Sequence, residues 1–544
     1  MPITEWPASR AAWERARNSL SGGVATALRA SARPHPIYFR GGAGAILTDI
    51  DGNDYHDYVL GWGPNILGHG NPRLVAAVQE QIVRGATYGS GHHLEYEVAE
   101  QLLEAFPGME RVLWSNTGTE ADLAALRIVR AATGRDHFVK FGGHYHGWSD
   151  PMLVGYRPGD ASMGAVESRG QLGSSADYAH TLPWGDLAAL ESFLASRDDI
   201  AAVFLEPVLC NSGVIEPPVG FLEGVRRVCD ERGLVLVFDE VITGLRIARG
   251  GAVERYGVIP DIVVLAKAVA GGLTLSALLG KARYLDLTLE GVTHAGTYNG
   301  NPLVLAAAAA TLAELSAPGA FDELERLGSR LASGLREALT RHGIVAAVNQ
   351  VGPVVQVGLG VAAITDFDDF RRTDQEGYAD LLVELLRRGS SRFLVGDGTS
   401  PPRTTRLWST RRSPGSTRRS RRSRPVDGDI APTGGGPRRL PRDQHLLTPA
   451  HRPRRLRPAL VPRVADRHRV RGHQDDDRRV PRRRHSGGPG TCAPVRDLRH
   501  ALRHGRASGI RGDQGRAAVG SDRGGRDRRR AVRGARRPLR RRGA

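Results

Sequence analysis

The chain has 544 residues of which 40% are hydrophobic, enough for two or three ordinary domains with a large buried core, so it is not a small scaffold held together by staples. Its three cysteines, Cys210, Cys229 and Cys492, are too few and too scattered for a disulfide framework or a zinc site with paired ligands. No run approaches the roughly 20 apolar residues of a membrane helix, and no secretory leader is visible, so the expectation is a soluble protein of the reducing cytoplasm.

Up to about Arg388 acidic and basic residues are mixed along amphipathic segments, and short apolar runs alternate with helical periodicity. That alternation predicts an α/β fold with a mostly parallel central sheet covered by helices on both faces. The first strand is expected at Arg111 to Trp114. It turns through Ser115-Asn116-Thr117-Gly118-Thr119-Glu120 into a helix over Glu120 to Thr133, where Ala121, Ala124, Ala125, Ile128 and Val129 share a face. Free backbone donors and the positive end of the helix dipole would suit a phosphate there, with the Thr117 and Thr119 hydroxyls as further donors, although an ordinary helix cap accounts for the same residues.

A second strand, His137 to Phe141, leads into Gly142-Gly143-His144-Tyr145-His146-Gly147-Trp148, an aromatic segment flanked by glycine that could stack on a planar cofactor or simply pack in the core. No acidic or cysteine partner lies at ligand spacing from these histidines, so no metal is expected. Strands at Ala201 to Leu205 and Leu234 to Phe238 follow, with a helix at Phe221 to Arg232 between them. The second of these strands runs into Asp239 and Glu240. An Asp at the carboxyl end of a buried strand stands where open α/β sheets bind ligands, and can pair with a protonated ring nitrogen.

The strand Asp261 to Leu265 then leads into Ala266-Lys267-Ala268-Val269-Ala270-Gly271-Gly272. A lysine in such an apolar run is partly desolvated, which favours the neutral amine needed to form an imine. Taken alone it would read as a snorkelling surface residue; its place after the Asp strand argues for chemistry. Further helices are expected at Pro302 to Leu315 and Ala320 to His342.

From Gly389 onward Arg, Pro and Gly dominate, no Lys, Glu, Asn, Tyr or Met occurs, and this segment carries the excess behind the formal charge of +18. It has no sustained period and cannot bury enough apolar area to offset its ordering entropy, so a disordered tail is expected. It also lacks the interleaved aromatics or binding fold of a nucleic-acid reader, and no such partner is expected. A basic arm is one reading. The other is an out-of-frame translation of a GC-rich gene, because Ser390 to Thr405 read in a shifted frame permits Val-Phe-Ala-Leu-Pro-Arg-Arg-Gly-Trp-Tyr-Val-Ser-Thr-Ala-His-Asp, which alternates like a strand.

Together the motifs resemble the class III, pyridoxal phosphate (PLP) dependent aminotransferases, and within them the glutamate-1-semialdehyde 2,1-aminomutase group. The likeness runs from about Ser21 to Arg388 and includes Asp49-Ile50-Asp51-Gly52-Asn53, Gly61-Trp62-Gly63-Pro64, Leu67-Gly68-His69, Glu206-Pro207-Val208, Gly220-Phe221-Leu222 and Gly300-Asn301-Pro302. The resemblance implies fold type I, with an N-terminal segment over 1–60 contributing to a small domain and the substrate pocket. A large PLP-binding domain would span 61–310, an incomplete C-terminal small domain 311–389, and the tail 390–544.

The same resemblance implies that Lys267 is the Schiff-base lysine and proton shuttle, and that Asp239 partners the pyridine nitrogen. Val241 and Tyr145 would pack on the two ring faces, Gly118 and Thr119 would hold the phosphate with Thr117 nearby, and Asn211 would bond the phenolic oxygen beside Glu206. Thr297 would reach the cofactor phosphate of a neighbouring subunit in a homodimer. Arg29 would bind a substrate carboxylate, with Trp62 lining the same pocket. Ala25, Ala27 and Thr274 depart from the aminomutase pattern, which has Asn, Pro and Pro there. The implied reaction moves an amino group between a small-molecule donor and a carbonyl acceptor, or within one skeleton as an aminomutase does; an inactive frameshifted product is the remaining reading. Independent reads of the gene across the Gly389 codon are expected to reveal a one-base frame change, and an uninterrupted frame in all of them would remove the out-of-frame reading.

Overall fold

The computed structural model describes residues 2–156 and 167–391, all within the first of the two units into which the chain divides. The tail expected to be disordered lies outside the described residues, apart from Ser390 and Ser391. Among the described residues no single helix is long and apolar enough to cross a membrane.

After an N-terminal helix, Pro7–Ala16, and two short helical turns, the chain forms a small antiparallel sheet of β1 (Phe39–Ala43), β2 (Ile46–Asp49) and β3 (Asp54–His56). The central sheet contains β4 (Arg111–Ser115), β5 (His137–Phe141), β6 (Ala179–Leu182), β7 (Ile200–Leu205), β8 (Val235–Asp239), β9 (Ile262–Leu265) and β10 (Ser276–Gly280). Their order is β4-β10-β9-β8-β7-β5-β6, and only β10 runs antiparallel to its neighbours. The carboxyl ends of β4, β5, β7, β8 and β9 therefore share one edge. The sheet is the expected mostly parallel one; β6 and β10 were not foreseen, because Ala179–Leu182 and Ser276–Gly280 are short and carry no turn signal of their own.

Alternation along the strands builds two cores. Val235 and Val237 of β8 face the helix α1 (Gly118–Thr133), where Ala121, Ala125 and Val129 are buried, while Leu236 and Phe238 face the opposite layer. By the same period, Asp239 continues onto the α1 side. The opposite layer includes α2 (Phe221–Arg232) and α3 (Gly251–Tyr256), and α4 (Pro302–Leu315) packs there with nine buried residues, which explains its apolar composition all round.

Beyond α4 the chain forms α5 (Ala320–Arg341), the hairpin β11 (Ala346–Val351) and β12 (Val354–Leu359), and α6 (Gln375–Arg387). Ala332, Val348, Val355, Val357, Tyr378 and Leu382 bury themselves among these elements as a satellite core. The described chain ends beside β3, where Ser391 donates its backbone N–H to the His56 carbonyl at 2.8 Å and Ser390 bridges His56 in parallel.

Glu240, next to the strand-end Asp239, has a structural duty. It is fully buried and accepts hydrogen bonds from the Thr243 hydroxyl and from the backbone N–H groups of Ala252 and Val253, so it anchors the start of α3. Gly251 has φ +58°, and a Cβ there would meet a Glu240 oxygen at 2.0 Å, so only glycine lets the carboxylate reach those donors. Glu240→Ala strands three buried donors and is expected to cost roughly 3 kcal/mol. Urea unfolding should show a lower midpoint with an unchanged slope.

Candidate active site

Five strand-end segments, with Pro64 from a sixth, converge on one cavity of about 330 Å³ at the carboxyl edge of the central sheet. Its walls include Thr117, Gly118, Thr119, Tyr145, Glu206, Asn211, Asp239, Val241 and Lys267, nine of the residues singled out in the sequence. Each arrives by the same device, a buried strand ending at that edge and releasing its next few residues as a loop: β4 for Thr117 to Thr119, β5 for Tyr145, β7 for Glu206, β8 for Asp239 and β9 for Lys267.

Asp239 is 3% exposed and held in a fixed orientation. One of its oxygens accepts the Val241 backbone N–H at 3.0 Å, and the other lies 2.7 Å from His146 Nδ1. Burial pushes its carboxyl up to about 7, against the opposing pull of the Val241 N–H, Lys267 and Lys140. A cationic ring nitrogen facing this carboxylate would offset that burial cost. Lys267 follows β9 in a short turn with φ +45°, a left-handed conformation uncommon for a residue with a side chain. Burial lowers its ammonium below the usual lysine range, with Asp239 and Glu206 pulling the other way, so more of the neutral amine is present near pH 7 than on a free lysine.

Glu206 extends the polar edge of the cavity. Its Oε1 accepts the Tyr145 backbone N–H at 2.8 Å and the Asn211 amide at 2.9 Å, while its Oε2 is buried without a hydrogen-bond partner. The Glu206 N–H in turn donates to His144 Nδ1. Burial, then the nearby Asp239, raises the Glu206 carboxyl to about 7.

At the other end of the cavity, the Glu120 N–H donates to the Thr117 side chain, making it the N-cap of α1. The cap reading and the phosphate reading are compatible. The cap uses a Thr117 oxygen as acceptor, while the first-turn N–H groups of Gly118 and Thr119 have no carbonyl within the helix to reach. Gly147, at φ +86°, lets the loop after β5 close on Thr119, since a Cβ there would lie 2.5 Å from the Thr119 hydroxyl.

Three expected site residues stand apart from the cavity wall. Thr297 is exposed on the single chain. Arg29, exposed on the short helix Ala27–Ala30, and Trp62 do not line the cavity; the guanidinium lies over the Trp62 ring at 5.4 Å, and the wall begins two residues on at Pro64. Sequence reasoning missed Asn116, Asp122, Gly147, Ile242 and the run Gly272 to Leu275, all of which line the wall. Asp122 carried a readable signal, being a carboxylate on the apolar face of α1 beside Ala121 and Ala125. Asp122, His146 and Asp239 bring ligand-type atoms within 4.8 Å of one another, a grouping of helix, loop and strand that linear spacing could not reveal.

The donor set fits PLP: a buried carboxylate for a ring nitrogen, an amine of lowered basicity for an aldehyde, a helix N-terminus for a phosphate, and an orphaned Glu206 oxygen at the polar edge. A family model for class III aminotransferases matches residues 28–378. The glutamate-1-semialdehyde 2,1-aminomutase of Roseiflexus castenholzii is 41% identical over 386 residues, covering 70% of this chain and 89% of that protein. An omega-transaminase from Sphaerobacter thermophilus is similar in structure with a TM-score of 0.67 and 29% identity, over 72% of this chain and 93% of that one. A transaminase with PLP bound gives a TM-score of 0.66 at 27% identity, over 73% of this chain and 94% of that one.

The chain belongs to the class III aminotransferases. It is an enzyme of amino-group transfer with the type I fold, and its cofactor is pyridoxal 5'-phosphate.

The raised carboxyl of Glu206 has a consequence for stability. Its folded pKa, about 7, lies above its ordinary 4.5, so between those values the folded form binds more protons. Its contribution is complete below the lower value and lost as pH rises through the upper one. Glu206→Gln has no such proton to lose. In thermal melts of cofactor-free protein, wild type should therefore lose stability relative to Glu206→Gln as pH is raised across that window; a constant difference would contradict the assignment.

Proposed function

We propose that this chain transfers an amino group between a small amino acid or amine and a keto acid or aldehyde, using Lys267 as the amine that anchors the cofactor and moves the substrate proton. The single observation that carries the reading is the convergence of Lys267 and Asp239 on one cavity beside the α1 N-terminus. Bound there, the cofactor supplies an aldehyde that takes up the amino group and a protonated ring that draws electrons from the substrate carbon.

The protein residues do the remainder. Asp239, fixed by His146 and the Val241 N–H, keeps the proton on the ring nitrogen. Gly118 and Thr119 bind the phosphate through their N–H groups, with Thr117 nearby, and Asn211 donates toward the phenolic oxygen beside Glu206. Tyr145 and Val241, both on the cavity wall, would hold the ring between them and keep water from its faces. Lys267 Nζ would hold the cofactor's aldehyde and, as the free amine, would take the proton from the carbon bearing the amino group and give it back. The active form is a homodimer in which Thr297, exposed on one chain, serves the partner's phosphate. Cys210 and Cys229, buried as free thiols, suit a cytoplasmic setting.

A second reading, intramolecular transfer on glutamate-1-semialdehyde, is supported by the Arg29 guanidinium over the Trp62 ring, two residues from Pro64 of the cavity wall, and by the 41% identity to an aminomutase. Thr274, on the wall, weighs against it together with Ala25 and Ala27.

A donor and acceptor screen that includes glutamate-1-semialdehyde and beta-amino acids separates the two. Consumption of amino donors with stoichiometric carbonyl product supports the transferase. Turnover of glutamate-1-semialdehyde alone supports the mutase. Lys267→Ala should lower kcat by at least about a thousandfold in either case, the loss of a group acting in covalent catalysis and proton transfer together. Retained activity in that variant would overturn both readings.

A further inference from the structure

Behind the cavity wall a buried cation joins two stretches of chain that lie far apart in sequence. Arg246, in the segment after β8, is 3% exposed, and among the described residues it forms no ion pair. Its Nε donates to the Ile242 carbonyl at 2.8 Å and its Nη2 to the Gly63 carbonyl at 2.5 Å. Ile242 and Pro64, the residue after Gly63, both line the cavity. One planar guanidinium thus bridges the segment that carries Val241 and the segment that carries Trp62, and its fork is a shape that reaches two carbonyls at once. Burial lowers it to about 10, so it stays a cation at neutral pH. The reaction as described makes no use of this contact.

The Trp62 segment needs such a tie. Leu60, Gly61, Trp62 and Gly63 have φ of +51°, +68°, +68° and +97°, four consecutive residues on the left-handed side. Glycine takes that backbone freely, but Leu60 and Trp62 do not, so the turn is not held by its own local preference. Contacts from outside hold it instead. At its start, Asp57 Oδ1 accepts the Val59 and Leu60 N–H groups at 2.9 and 3.1 Å, and the other Asp57 oxygen lies 2.7 Å from His69 Nε2. Across it, the Gly63 N–H donates to the Val59 carbonyl at 3.0 Å. At its end, the Gly63 carbonyl is taken by Arg246. The turn sets the direction of Trp62, whose ring carries the Arg29 guanidinium over it at 5.4 Å.

We infer that Arg246 is a positioning residue for substrate: it clamps the left-handed turn Leu60–Gly63 to the chain beside Val241, and so holds Trp62 and the Arg29 stacked on it where the carboxylate of an amino-acid substrate is met. The inference rests on the reading of Arg29 and Trp62 as the carboxylate side of the substrate pocket. Preference for amines that carry a carboxylate then depends on a side chain placed behind the wall. Both ends of the clamp are backbone carbonyls, so the tie is specific to residue 246 and not to the side chains of the turn. A lysine there keeps the charge but concentrates its donors on one nitrogen, without the fork that spans both carbonyls. A guanidinium that merely filled space would, when removed, weaken all substrates alike.

The test uses the full chain loaded with PLP, as wild type, Arg246→Lys, Arg246→Met, Arg29→Ala and the double variant Arg29→Ala with Arg246→Met. Single-turnover reactions, followed by the absorbance of the bound cofactor, compare 3-aminobutyrate with sec-butylamine, in which a methyl group replaces the carboxylate. Arg246→Met should raise the half-saturating concentration of 3-aminobutyrate about tenfold and that of sec-butylamine by less than about twofold, with the rate at saturation little changed. Arg246→Lys should fall between, at about threefold for 3-aminobutyrate alone. In the Arg29→Ala background, Arg246→Met should add less than about twofold, because both act on one interaction. Hydrogen exchange at the Leu60–Gly63 amides should quicken about tenfold in Arg246→Met while the β8 amides stay as in wild type.

Equal weakening of both donors, or full additivity with Arg29→Ala, overturns the inference. So does unchanged exchange in the turn. If Arg246→Met fails to fold, Arg246→Lys carries the same comparisons, and a lysine variant indistinguishable from wild type in all of them overturns the clamp. If wild type consumes neither donor, or Arg29→Ala weakens both alike, the carboxylate reading fails on its own, and exchange in the turn judges the clamp separately.

Discussion

The arrangement on which the site depends is a carboxylate at the end of a buried strand. Asp239 is carried there by four residues of β8 packed on both faces, and its two oxygens are fixed by a backbone N–H and an imidazole. Left alone, that charge would be costly, and burial, opposed by the Val241 N–H, Lys267 and Lys140, moves its carboxyl up to about 7. Lys267 already pulls the Asp239 carboxyl down, and in the assignment proposed above the cofactor's ring nitrogen would add a facing cation.

Two adjacent carboxylates show how the pleat divides labour. Asp239 points to the α1 side and into the cavity, whereas Glu240 turns away to tie α3 through three hydrogen bonds. Chemically similar and equally buried, they differ because successive residues leave the strand in opposite directions. Glu240 stabilises the layer that supports the site, and Asp239 serves the chemistry.

Much of this was legible before any coordinates. The strands at His137–Phe141 and Ile200–Leu205 and the helices at Phe221–Arg232 and Pro302–Leu315 declare themselves through unbroken apolar runs or clear periodicity, because both faces of the sheet are buried. Motifs at strand ends then pointed to one edge, and nine of the residues chosen from them line one cavity. What stayed hidden was tertiary. β10 reads as a loop because five small or apolar residues after a glycine pair carry no period of their own. The Asp122–His146–Asp239 grouping joins residues far apart in sequence, and only packing of α1 on β8 brings them together. Thr297, Arg29 and Trp62 lie outside the single-chain wall, so their placement depends on more than local pattern.

The left-handed backbone at Lys267 carries a mechanical consequence. The turn that follows it, Ala268 to Ala270, is sealed under α4 by fully buried small side chains, so the peptide plane at Lys267 has no room to relax. The amine therefore swings from a rigid pivot. For the role proposed for it, its travel is limited to the span of its own methylene chain.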